Sequence, residues 1–418
     1  MNAIICTIGT EITRGQILNT NAQYCAQKLT ETGIIVSSII SIRDIPAEMI
    51  ETIQYAYAHH SVTILCGGLG PTDDDITRAA VAAALNRPLQ YMPKLERNIA
   101  SFFKSIRKPM SDANKQQAYI PHGMLAIDNK NGTAPGFYLG HDNKLLAVMP
   151  GVPREMQGMM EEKVIPLIRR MVKKSKKTEI LVIKTTGIGE SMLASKLIRP
   201  TKELHALGIT LAYKASADGV QLILSGESSH RSLIKAKLQK AKDSINKAIS
   251  AHIYGYNDTT LSSAVGKLLI QKKVMLVTAE SCTGGMLGEQ LTAVSGASRF
   301  YHGGWITYSN TQKRNELQVK PHILKKYGAV SKQTVRAMAA GAQKESGAEY
   351  AVAVSGIAGP DGGTQSKPVG LVFIGIAYPD HTVSTHRYIF PGNRAMIRKR
   401  TCTTALWLLY QHLKRNNA

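Results

Sequence analysis

The sequence lacks the features that would assign it to a membrane, zinc-binding or secreted protein. No apolar run approaches the ~20 residues that a bilayer-spanning helix needs. The N-terminal segment carries no basic leader and is typical of a first strand, not of a signal peptide. The five cysteines are scattered and form no Cys-x-x-Cys pair, which argues against a zinc site and against a disulfide framework. We therefore expect a cytoplasmic protein that makes no contact with a membrane.

Acidic residues are also scarce, because 29 Asp and Glu oppose 52 Lys and Arg and leave a formal net charge of +23. Two basic clusters stand out, at residues 163–177 and 231–247. Neither cluster contains an aromatic residue, so neither offers a stacking platform for a single nucleic-acid strand. We expect the charge to attract phosphorylated metabolites, and we do not expect specific binding of nucleic acid.

A chain of 418 residues is too long for one ordinary core, and its pattern indicates three blocks. The first and third blocks alternate strand and helix patterns, which predicts parallel sheets covered by helices on both faces. The short middle block predicts an α+β module with antiparallel strands at its centre and one helix at residues 190–198. The predicted fold class is α/β, with two three-layer α/β domains joined by a small α+β domain. We place the domains at residues 1–172, 178–252 and 256–418.

The most informative stretch is Thr278-Ala-Glu-Ser-Cys-Thr-Gly-Gly285, which directly follows the apolar run Val274-Met-Leu-Val277. The run predicts a buried strand, and the two glycines predict a tight turn into a helix. Such a turn carries free backbone N–H groups and a positive helix end, which suit a phosphate, a carboxylate or an oxyanion. Ser281 and Thr283 lie where a nucleophile or a binding hydroxyl is wanted. The alternative is a glycine turn whose hydroxyls only cap the helix.

Three glycine-rich loops of the first block have the character of ligand sites. The longest, Gly67-Gly-Leu-Gly-Pro-Thr-Asp-Asp-Asp75, follows an apolar strand, and its last two acids could hold a divalent cation against a pyrophosphate. The others are Gly9-Thr-Glu-Ile-Thr-Arg-Gly15 and Asn131-Gly-Thr-Ala-Pro-Gly136. A capped helix with surface acids is an equally good interpretation of the longest loop. The residues assigned to a nucleotide here are Gly67, Gly68, Gly70, Thr72, Gly132 and Thr133, and the metal ligands are Glu11, Asp74 and Asp75.

The histidines of the third block lie outside its glycine-rich loops, so a Ser–His–Asp triad is poorly supported. A lysine whose pKa is lowered can replace histidine as the base, and Lys313, just after a strand predicted at 305–309, is the best-placed candidate. Its alternative is an exposed lysine on a helix. A second loop, residues 355–363, suits a phosphate or a ribose together with Lys367. Arg394 lies at the start of the last predicted helix, where its guanidinium could bind a phosphate. The alternative is an exposed arginine that binds nothing.

The ordered motifs of the third block resemble the C-terminal domain of CinA (competence/damage-inducible) proteins. They are Ala279-Glu-Ser-Cys-Thr-Gly-Gly285, Ser295-Gly-Ala-Ser298, residues 304–310, Lys313, Gly328-Ala-Val-Ser331, Ser355-Gly-Ile-Ala-Gly-Pro360, Gly362-Gly363, Lys367-Pro-Val-Gly370 and Gly392-Asn-Arg394. The resemblance implies hydrolysis of nicotinamide mononucleotide to nicotinate mononucleotide and ammonia, without a cofactor.

The same resemblance implies a serine–lysine arrangement in which Ser281 is the nucleophile and Lys313 is the base, with Tyr308 in support. Cys282 is the competing nucleophile, because a thiolate at a helix N-terminus has a lowered pKa. The predicted substrate-binding residues are Thr283, Gly284, Gly285, Ser355, Gly356, Gly359, Gly363, Lys367 and Arg394.

The first block resembles the molybdopterin-binding-like domain at the N-terminus of the same family. The matching pieces are Gly9-Thr-Glu11, Gly15-Gln16, Thr20-Asn21, residues 67–77, Gln117-Ala118, residues 132–137 and Pro150-Gly-Val-Pro-Arg-Glu-Met156. The resemblance implies a metal-dependent ADP-ribose pyrophosphatase, and hence a divalent cation. The sequence departs from the family at Asn19, where an acid is usual, and at Cys66, where a threonine is common.

The middle block is similar to the KH-like linker domain of that family through Gly187-Ile-Gly-Glu-Ser191. It has no Gly-x-x-Gly loop to clamp a nucleic-acid backbone, so we expect it to bridge the catalytic domains or the contacts of a homodimer. The expected partners are otherwise small-molecule nucleotides. Two alternatives stay open: only the N-terminal hydrolase is active, or the protein is a DNA-associated competence or damage-response factor without amidohydrolase activity. Residues 253–418 are predicted to fold and to act alone.

Overall fold

The computed structural model of the protein describes residues 1–141, 143–172, 177–228 and 230–415. The chain forms two compact units, one of residues 1–179 and 227–235 and the other of residues 180–226 and 236–418. Across the described ranges, every helix is too short or too polar to reach across a bilayer. The basic joint that the sequence suggests near residues 173–177 lies outside these ranges, except for the backbone of Lys177.

The first unit is built on a six-stranded sheet. The fourth and fifth strands of the unit form a separate pair, and the others form this sheet. In chain order the strands are β1 (Asn2–Ile8), β2 (Ile35–Ile42), β3 (Val62–Cys66), β4 (Leu89–Tyr91), β5 (Tyr119–Pro121), β6 (Leu125–Ile127), β7 (Gly136–His141) and β8 (Lys144–Met149). Its helices are α1 (Thr10–Thr13), α2 (Thr20–Glu31), α3 (Pro46–His59), α4 (Thr77–Ala84), α5 (Pro93–Ser105), α6 (Pro153–Met159) and α7 (Ile165–Met171). One π-helical turn, Met160–Val164, joins α6 to α7.

The strand order of this sheet is β2-β1-β3-β8-β7-β6. The strands β2, β1, β3 and β8 are parallel to one another, whereas β7 pairs antiparallel with β8 and β6 pairs antiparallel with β7. The sheet is therefore mixed and not purely parallel as predicted. Too few residues separate β7 from β8 for the crossover that a parallel pair needs. Alternating side chains of β1 face opposite sides, with Ile5 in a core under α2, α6 and α7 and Ile4 in a core under α3, α4 and α5. The predicted three-layer arrangement is confirmed.

The middle module is a small α+β sheet, as predicted. Its elements are β9 (Lys177–Thr185), α8 (Glu190–Lys196), α9 (Ile198–Ala206), β10 (Ile209–Ser216), β11 (Gly219–Ser228), α10 (Arg231–Ile249) and β12 (Ile253–Tyr256), with the strand order β10-β11-β9-β12. Two features differ from the prediction. The single helix expected at 190–198 is two helices that meet at Leu197, and β12, beyond the expected end of the module, pairs antiparallel with β9.

In the described part of the chain after β12, the second unit contains five strands and six α-helices. The strands are β13 (Leu276–Glu280), β14 (Tyr301–Ile306), β15 (Tyr350–Gly356), β16 (Leu371–Ala377) and β17 (Val383–Ile389). The helices are α11 (Leu261–Lys272), α12 (Met286–Thr292), α13 (Asn310–Leu317), α14 (Pro321–Tyr327), α15 (Lys332–Ser346) and α16 (Arg394–Arg415).

The sheet order here is β14-β13-β15-β16-β17. The first three strands are parallel, whereas β16 and β17 are antiparallel additions, so strands and helices do not alternate to the end as the sequence suggested. Leu276 faces a core with α11, α12 and α16, and its neighbour Val277 faces a second core with α15. Helices therefore cover both faces of β13, which is the central parallel strand.

Candidate active site

Three parallel strands of the second unit end at the same edge of the sheet and bring their following loops together. The central strand β13 ends at Glu280, and β14 and β15 end at Ile306 and Gly356. In the register of the sheet, Glu280 is paired with both Ile306 and Val354. Ser281 therefore emerges between two neighbouring strand ends, which is the usual place for a ligand in a parallel sheet.

Ser281 and Lys313 are in direct contact at this edge. The Nζ atom of Lys313 lies 3.0 Å from the Oγ atom of Ser281. It also donates to the backbone carbonyls of Thr307, at 2.6 Å, and Tyr308, at 3.3 Å. Lys313 is 0% exposed and Ser281 is 9% exposed. The structure thus brings the predicted pair together, and Lys313 is not the exposed helix lysine of the alternative interpretation.

A capping box at the start of α13 places Lys313. Ser309 Oγ accepts the N–H of Gln312 at 3.1 Å, and Gln312 Oε1 accepts the N–H of Ser309 at 3.5 Å. The same oxygen also accepts the N–H of Tyr308 at 3.1 Å. The strand expected at 305–309 was wrong for this reason, because Ser309 starts a helix and β14 has already ended. Lys313 consequently lies on the first turn of α13, from which its side chain reaches back to β13.

Burial shifts the pKa values of two neighbouring groups in opposite directions. The ammonium of Lys313 loses its hydration, which lowers its pKa from 10.5 to about 8. Among the described residues, no Asp or Glu forms an ion pair with it. The thiol of Cys282, next to Ser281, is also buried, and burial raises its pKa from 9.0 to about 12. The serine therefore has a base within reach, whereas the cysteine is a protonated thiol.

The helix end after Ser281 is not the open anion site that the sequence suggested. Glu280 Oε2 accepts the N–H groups of Gly285, at 3.0 Å, and Leu287, at 3.1 Å. Glu280 Oε1 accepts the N–H of Gly288 at 2.8 Å. The expectation was wrong for these donors because a carboxylate of the protein already takes them. Sequence reasoning missed Glu280, although an acid at the end of an apolar run was the available signal.

Two N–H groups of the same turn have no acceptor on another described residue. Ser281 donates its N–H to the carbonyl of Val354 at 3.1 Å, but the N–H groups of Cys282 and Thr283 donate to no other residue of the described chain. The hydroxyls of Thr283 and Thr307 are buried and likewise make no hydrogen bond among the described residues. Unpaired buried polar groups are uncommon in folded proteins, which makes these four candidate contacts for a ligand.

Helix α16 contributes two arginines that lie one turn apart. Arg394 donates from Nη1 to the carbonyl of Gly359 at 3.0 Å and from Nη2 to the hydroxyl of Tyr308 at 3.3 Å. Arg398 donates from Nε to the carbonyl of Thr283 at 3.2 Å, and its Nη2 reaches the same oxygen. Sequence reasoning selected Arg394 and missed Arg398, whose signal was the i, i+4 spacing on one helix face.

The predicted glycines of the site have structural reasons of their own. Gly284 and Gly285 have φ angles of 58° and 92°, so a side chain at either position would strain the turn. Gly356, Gly359 and Gly363 lie so close to their neighbours that an added Cβ atom would come within 3.0 Å of them. Their role in substrate binding stays a prediction.

The polar residues of the second loop are engaged within the protein. Ser355 is fully buried, and its hydroxyl donates to the carbonyl of Ala329 at 2.8 Å. The Nζ atom of Lys367 donates to the carbonyl of Tyr327 at 2.8 Å. In the described chain neither side chain hydrogen-bonds to the serine–lysine pair, so the structure does not bring them to the reacting atoms.

In the first unit, the predicted metal ligands do not form a set. The carboxyl groups of Asp74 and Asp75 both lie within hydrogen-bond distance of the hydroxyl of Thr72 in their own turn, and Gly70 lies against the carboxyl of Asp75. Glu11 lies on α1. Over the described ranges, no three His, Cys, Asp or Glu side chains are grouped so that they could hold a metal ion. The carboxylates of Glu11, Asp74 and Asp75 therefore do not form a cation site by themselves.

The predicted nucleotide residues of the first unit lie on two loops. Gly67 and Gly68 follow β3 with φ angles of 121° and 64°. Gly132 and Thr133 line a cavity of about 230 Å³ whose walls do not include the loop after β3. Glu155 lies beside Gly132, and burial raises the pKa of its carboxyl group. This cavity therefore does not join the two loops into one nucleotide site.

The two departures from the family pattern have local explanations. Asn19 Oδ1 accepts the N–H of Ala22 at 3.1 Å and so caps α2. Its Nδ2 donates to the hydroxyl of Thr7 at 2.8 Å, which an acid could not do. Cys66 is buried at the end of β3 with its Sγ atom 4.0 Å from that of Cys25.

Comparisons with known protein families cover most of the chain. Residues 258–413 match the CinA C-terminal domain. Residues 4–170 match a family described as a probable molybdopterin binding domain. Residues 181–255 match the KH domain of the damage-inducible protein CinA.

Full-length relatives are similar along their whole length. A competence-damage inducible protein of Halothermothrix orenii is 39% identical over 99% of this chain and 99% of its own. One of Caldicellulosiruptor bescii is 42% identical over 97% of each chain. A solved structure, the competence/damage inducible protein CihA from Agrobacterium tumefaciens, is 39% identical, covers 37% of this chain and 97% of its own, and has a TM-score of 0.35.

Proposed function

The chain belongs to the CinA family, and we propose that its C-terminal domain hydrolyses nicotinamide mononucleotide to nicotinate mononucleotide and ammonia. The observation that carries the proposal is the contact of 3.0 Å between Ser281 Oγ and Lys313 Nζ. Amide hydrolysis needs an activated nucleophile, and a positioned base supplies one. A lysine with a pKa of about 8 is neutral in about a tenth of the molecules at pH 7, enough to serve as that base.

In the proposed first step, neutral Lys313 takes the proton of the Ser281 hydroxyl. The oxygen of Ser281 forms a bond to the carboxamide carbon of the substrate, and the carbonyl π pair moves to the carbonyl oxygen. The N–H groups of Cys282 and Thr283, which are unpaired in the described chain, are the donors nearest in sequence for that oxyanion.

In the second step, the oxyanion re-forms the carbonyl group, the C–N bond breaks, and the ammonium of Lys313 gives its proton to the departing nitrogen, which leaves as ammonia. The substrate is now an ester of Ser281. A water molecule then attacks the ester carbon while Lys313 takes one of its protons. The carbonyl group re-forms as the bond to Ser281 Oγ breaks, Lys313 returns the proton to that oxygen, and the carboxylic acid product loses its remaining proton to water.

The phosphate of the substrate is assigned to Arg394. The guanidinium is exposed, and one of its nitrogens holds Gly359 while another reaches Tyr308. The remaining N–H groups are free to point at a phosphate, whose oxygens match the planar fork of arginine. Tyr308, which is 60% exposed, is the neighbour that supports this cation.

The test is a coupled assay of ammonia released from nicotinamide mononucleotide by the full chain. We expect Ser281→Ala to abolish release and Cys282→Ala, its matched neighbour, to keep most of it. The reverse pattern would contradict the serine assignment. A wild-type chain that releases no ammonia, yet binds labelled duplex DNA more tightly at 50 mM than at 200 mM salt, would favour the DNA-associated alternative.

A pyrophosphatase acting on ADP-ribose in the first unit remains a prediction from the family resemblance. The carboxylates assigned to its metal are not grouped in the described structure, so a cation would need the substrate phosphates as further ligands. In the same assay series, EDTA should stop ADP-ribose hydrolysis and leave ammonia release unchanged, because Ser281 and Lys313 use no metal in the proposed steps. Equal loss of both reactions would contradict this division.

A further inference from the structure

Glu280 is the last residue of β13 and directly precedes Ser281. Its side chain is 2% exposed, and in the described chain it forms no ion pair with a lysine, arginine or histidine. A buried carboxylate without a cation is unfavourable unless hydrogen bonds replace its lost hydration. The three N–H groups of Gly285, Leu287 and Gly288 supply those bonds at 2.8–3.1 Å.

These bonds join the two ends of the segment that carries the nucleophile. A helix is usually capped by the side chain of the residue just before its first turn. Here that residue is Gly285, which has no side chain, and the cap comes from Glu280, five residues earlier. The carboxylate therefore spans the whole turn from the end of β13 to the start of α12.

The turn needs such a connection because of its own composition. Gly284 and Gly285 have left-handed φ angles of 58° and 92°, and glycine has the largest backbone freedom of any residue. Among the described residues, two other side chains hold this turn: Arg398 donates to the carbonyl of Thr283, and Lys313 donates to the hydroxyl of Ser281. Without the carboxylate, the position of Ser281 would depend on these two contacts and on the bond from its own N–H to the carbonyl of Val354.

We propose that Glu280 is the positioning residue of the hydrolase site: its carboxylate clamps the turn so that the Oγ atom of Ser281 stays within hydrogen-bond distance of Lys313. Glu280 acts through Ser281 and does not touch the substrate in this proposal. The inference rests on the proposed amidohydrolase function, because it assigns Glu280 a part in that reaction. It also explains why a charged residue occupies a buried place beside an apolar strand.

The test compares Glu280→Gln with Glu289→Gln, an exposed carboxylate on the same short helix. Glutamine keeps the length of the side chain, but its NH₂ group cannot accept, so at least one of the three N–H groups loses its acceptor. We expect kcat to fall about 10- to 100-fold in Glu280→Gln, as misplacement of a reacting atom by about 1 Å can do. KM should stay within about twofold, and Glu289→Gln should resemble the wild type.

Two further readouts separate positioning from a merely structural role. The pH at half-maximal kcat/KM should not move, because the contacts of Lys313 do not involve Glu280. Backbone amide exchange of Gly285, Leu287 and Gly288 should become faster in Glu280→Gln than in Glu289→Gln. Activity is measured at a temperature where circular dichroism shows each variant folded, and Glu280→Asp, which keeps the charge on a shorter side chain, replaces any variant that does not fold.

The proposal is overturned if kcat per folded molecule stays within about twofold of the wild type while amide exchange accelerates. It is also overturned if the pH midpoint shifts with the rate, which would mean that Glu280 acts on the base. If the wild-type chain releases no ammonia, the proposed function fails, and the exchange measurement still decides whether Glu280 holds the turn.

Discussion

Burial acts on Lys313 and Cys282 in opposite senses because the charged form of one is its protonated state and that of the other is its deprotonated state. Water stabilises both the ammonium and the thiolate, and both lose it inside the protein. The amine is therefore easier to deprotonate, with a pKa of about 8, and the thiol is harder, with a pKa of about 12. A site in which the lysine is the usable base and the serine the usable nucleophile follows from this one effect.

The first prediction for single residues concerns how kcat/KM depends on pH. Only the neutral amine of Lys313 can accept the proton of Ser281, and its fraction grows as pH rises toward the pKa of about 8. We expect kcat/KM to rise about tenfold per pH unit below that value and to level off above it. In Lys313→Arg the guanidinium stays charged, so the rate should fall by ~10²–10⁴.

The control for that prediction is Lys320→Arg, a change of the same type at an exposed lysine seven positions along the chain. Rates as a function of pH from about 5.5 to 9.5 check the prediction. A flat profile, or near-normal turnover in Lys313→Arg, would mean that the lysine only donates hydrogen bonds to the backbone and to Ser281.

At the scale of elements, Arg394 and Arg398 lie one turn apart on α16 and hold different parts of the site. Arg394 is assigned to the phosphate, so Arg394→Lys should raise KM about tenfold with little change in kcat, because a lysine lacks the bidentate fork. Arg398 holds the carbonyl of Thr283, so Arg398→Lys should lower kcat several-fold and leave KM nearly unchanged.

Arg400→Lys is the matched control for both arginines, since Arg400 lies on the same helix and bonds to the carbonyl of Pro391, away from the catalytic pair. Steady-state kinetics with nicotinamide mononucleotide give the two parameters separately. If Arg394→Lys changed kcat alone, the assignment of the phosphate to Arg394 would be wrong.

Local patterns predicted the elements well where a strong signal marked an end. The strand expected before Gly67 ends at Cys66, and the helix expected after the two glycines of the turn begins at Met286, because glycine acts on the local backbone. The strand predicted at 305–309 was wrong because the end of an apolar run overlaps the capping signal of Ser309. Ser309 starts α13 because its side chain accepts a backbone N–H at the start of that helix.

The candidate site was predictable in part for a related reason. Ser281 and Lys313 could be selected because a glycine turn after a strand and the absence of a placed histidine are visible in the chain. The contact between them could not be derived, because it depends on the parallel pairing of β13 with β14, which the residues alone do not specify. Arg398 was missed for the same reason, since it acts across the fold on the carbonyl of Thr283. Glu280 acts locally, on N–H groups of the turn that follows it, and those contacts depend on the geometry of that turn.

At the scale of the whole molecule, the alternation of strands and helices predicted the three-layer domains but not the partners of every strand. A helix between two neighbouring strands is typical of a parallel crossover, but it does not fix the pairing: β4 and β5 flank α5 and pair antiparallel. The strand β12 is an example of a partner that the pattern did not predict. Its four residues follow the predicted end of the middle module, yet they pair with β9 and complete the sheet of that module. The predicted bounds at 252 and 256 leave most of that strand between the two domains, whereas the structure pairs it with β9.

This pairing makes the boundary of the proposed hydrolase domain testable. The two cores around β13 are closed by elements from α11 to α16, and Glu280, Ser281, Lys313 and both arginines lie among them. The middle module adds Tyr254, which packs on one of these cores, and Asp218, whose carboxylate pairs with Lys399 at 2.8 Å. That pair is about half exposed on both sides, so it contributes only about 0–1 kcal/mol.

We therefore expect a fragment of residues 258–418 to unfold cooperatively, at a lower temperature than the full chain, and to release ammonia within about threefold of its rate. A fragment of residues 253–418 keeps Tyr254 but leaves β12 without its partner strand, so it should be the more prone to aggregate, because an unpaired edge strand invites other chains. Thermal unfolding, light scattering and the ammonia assay on the three proteins check this order. A soluble 258–418 fragment that unfolds cooperatively and has no activity would show that the middle module or the first unit completes the active site.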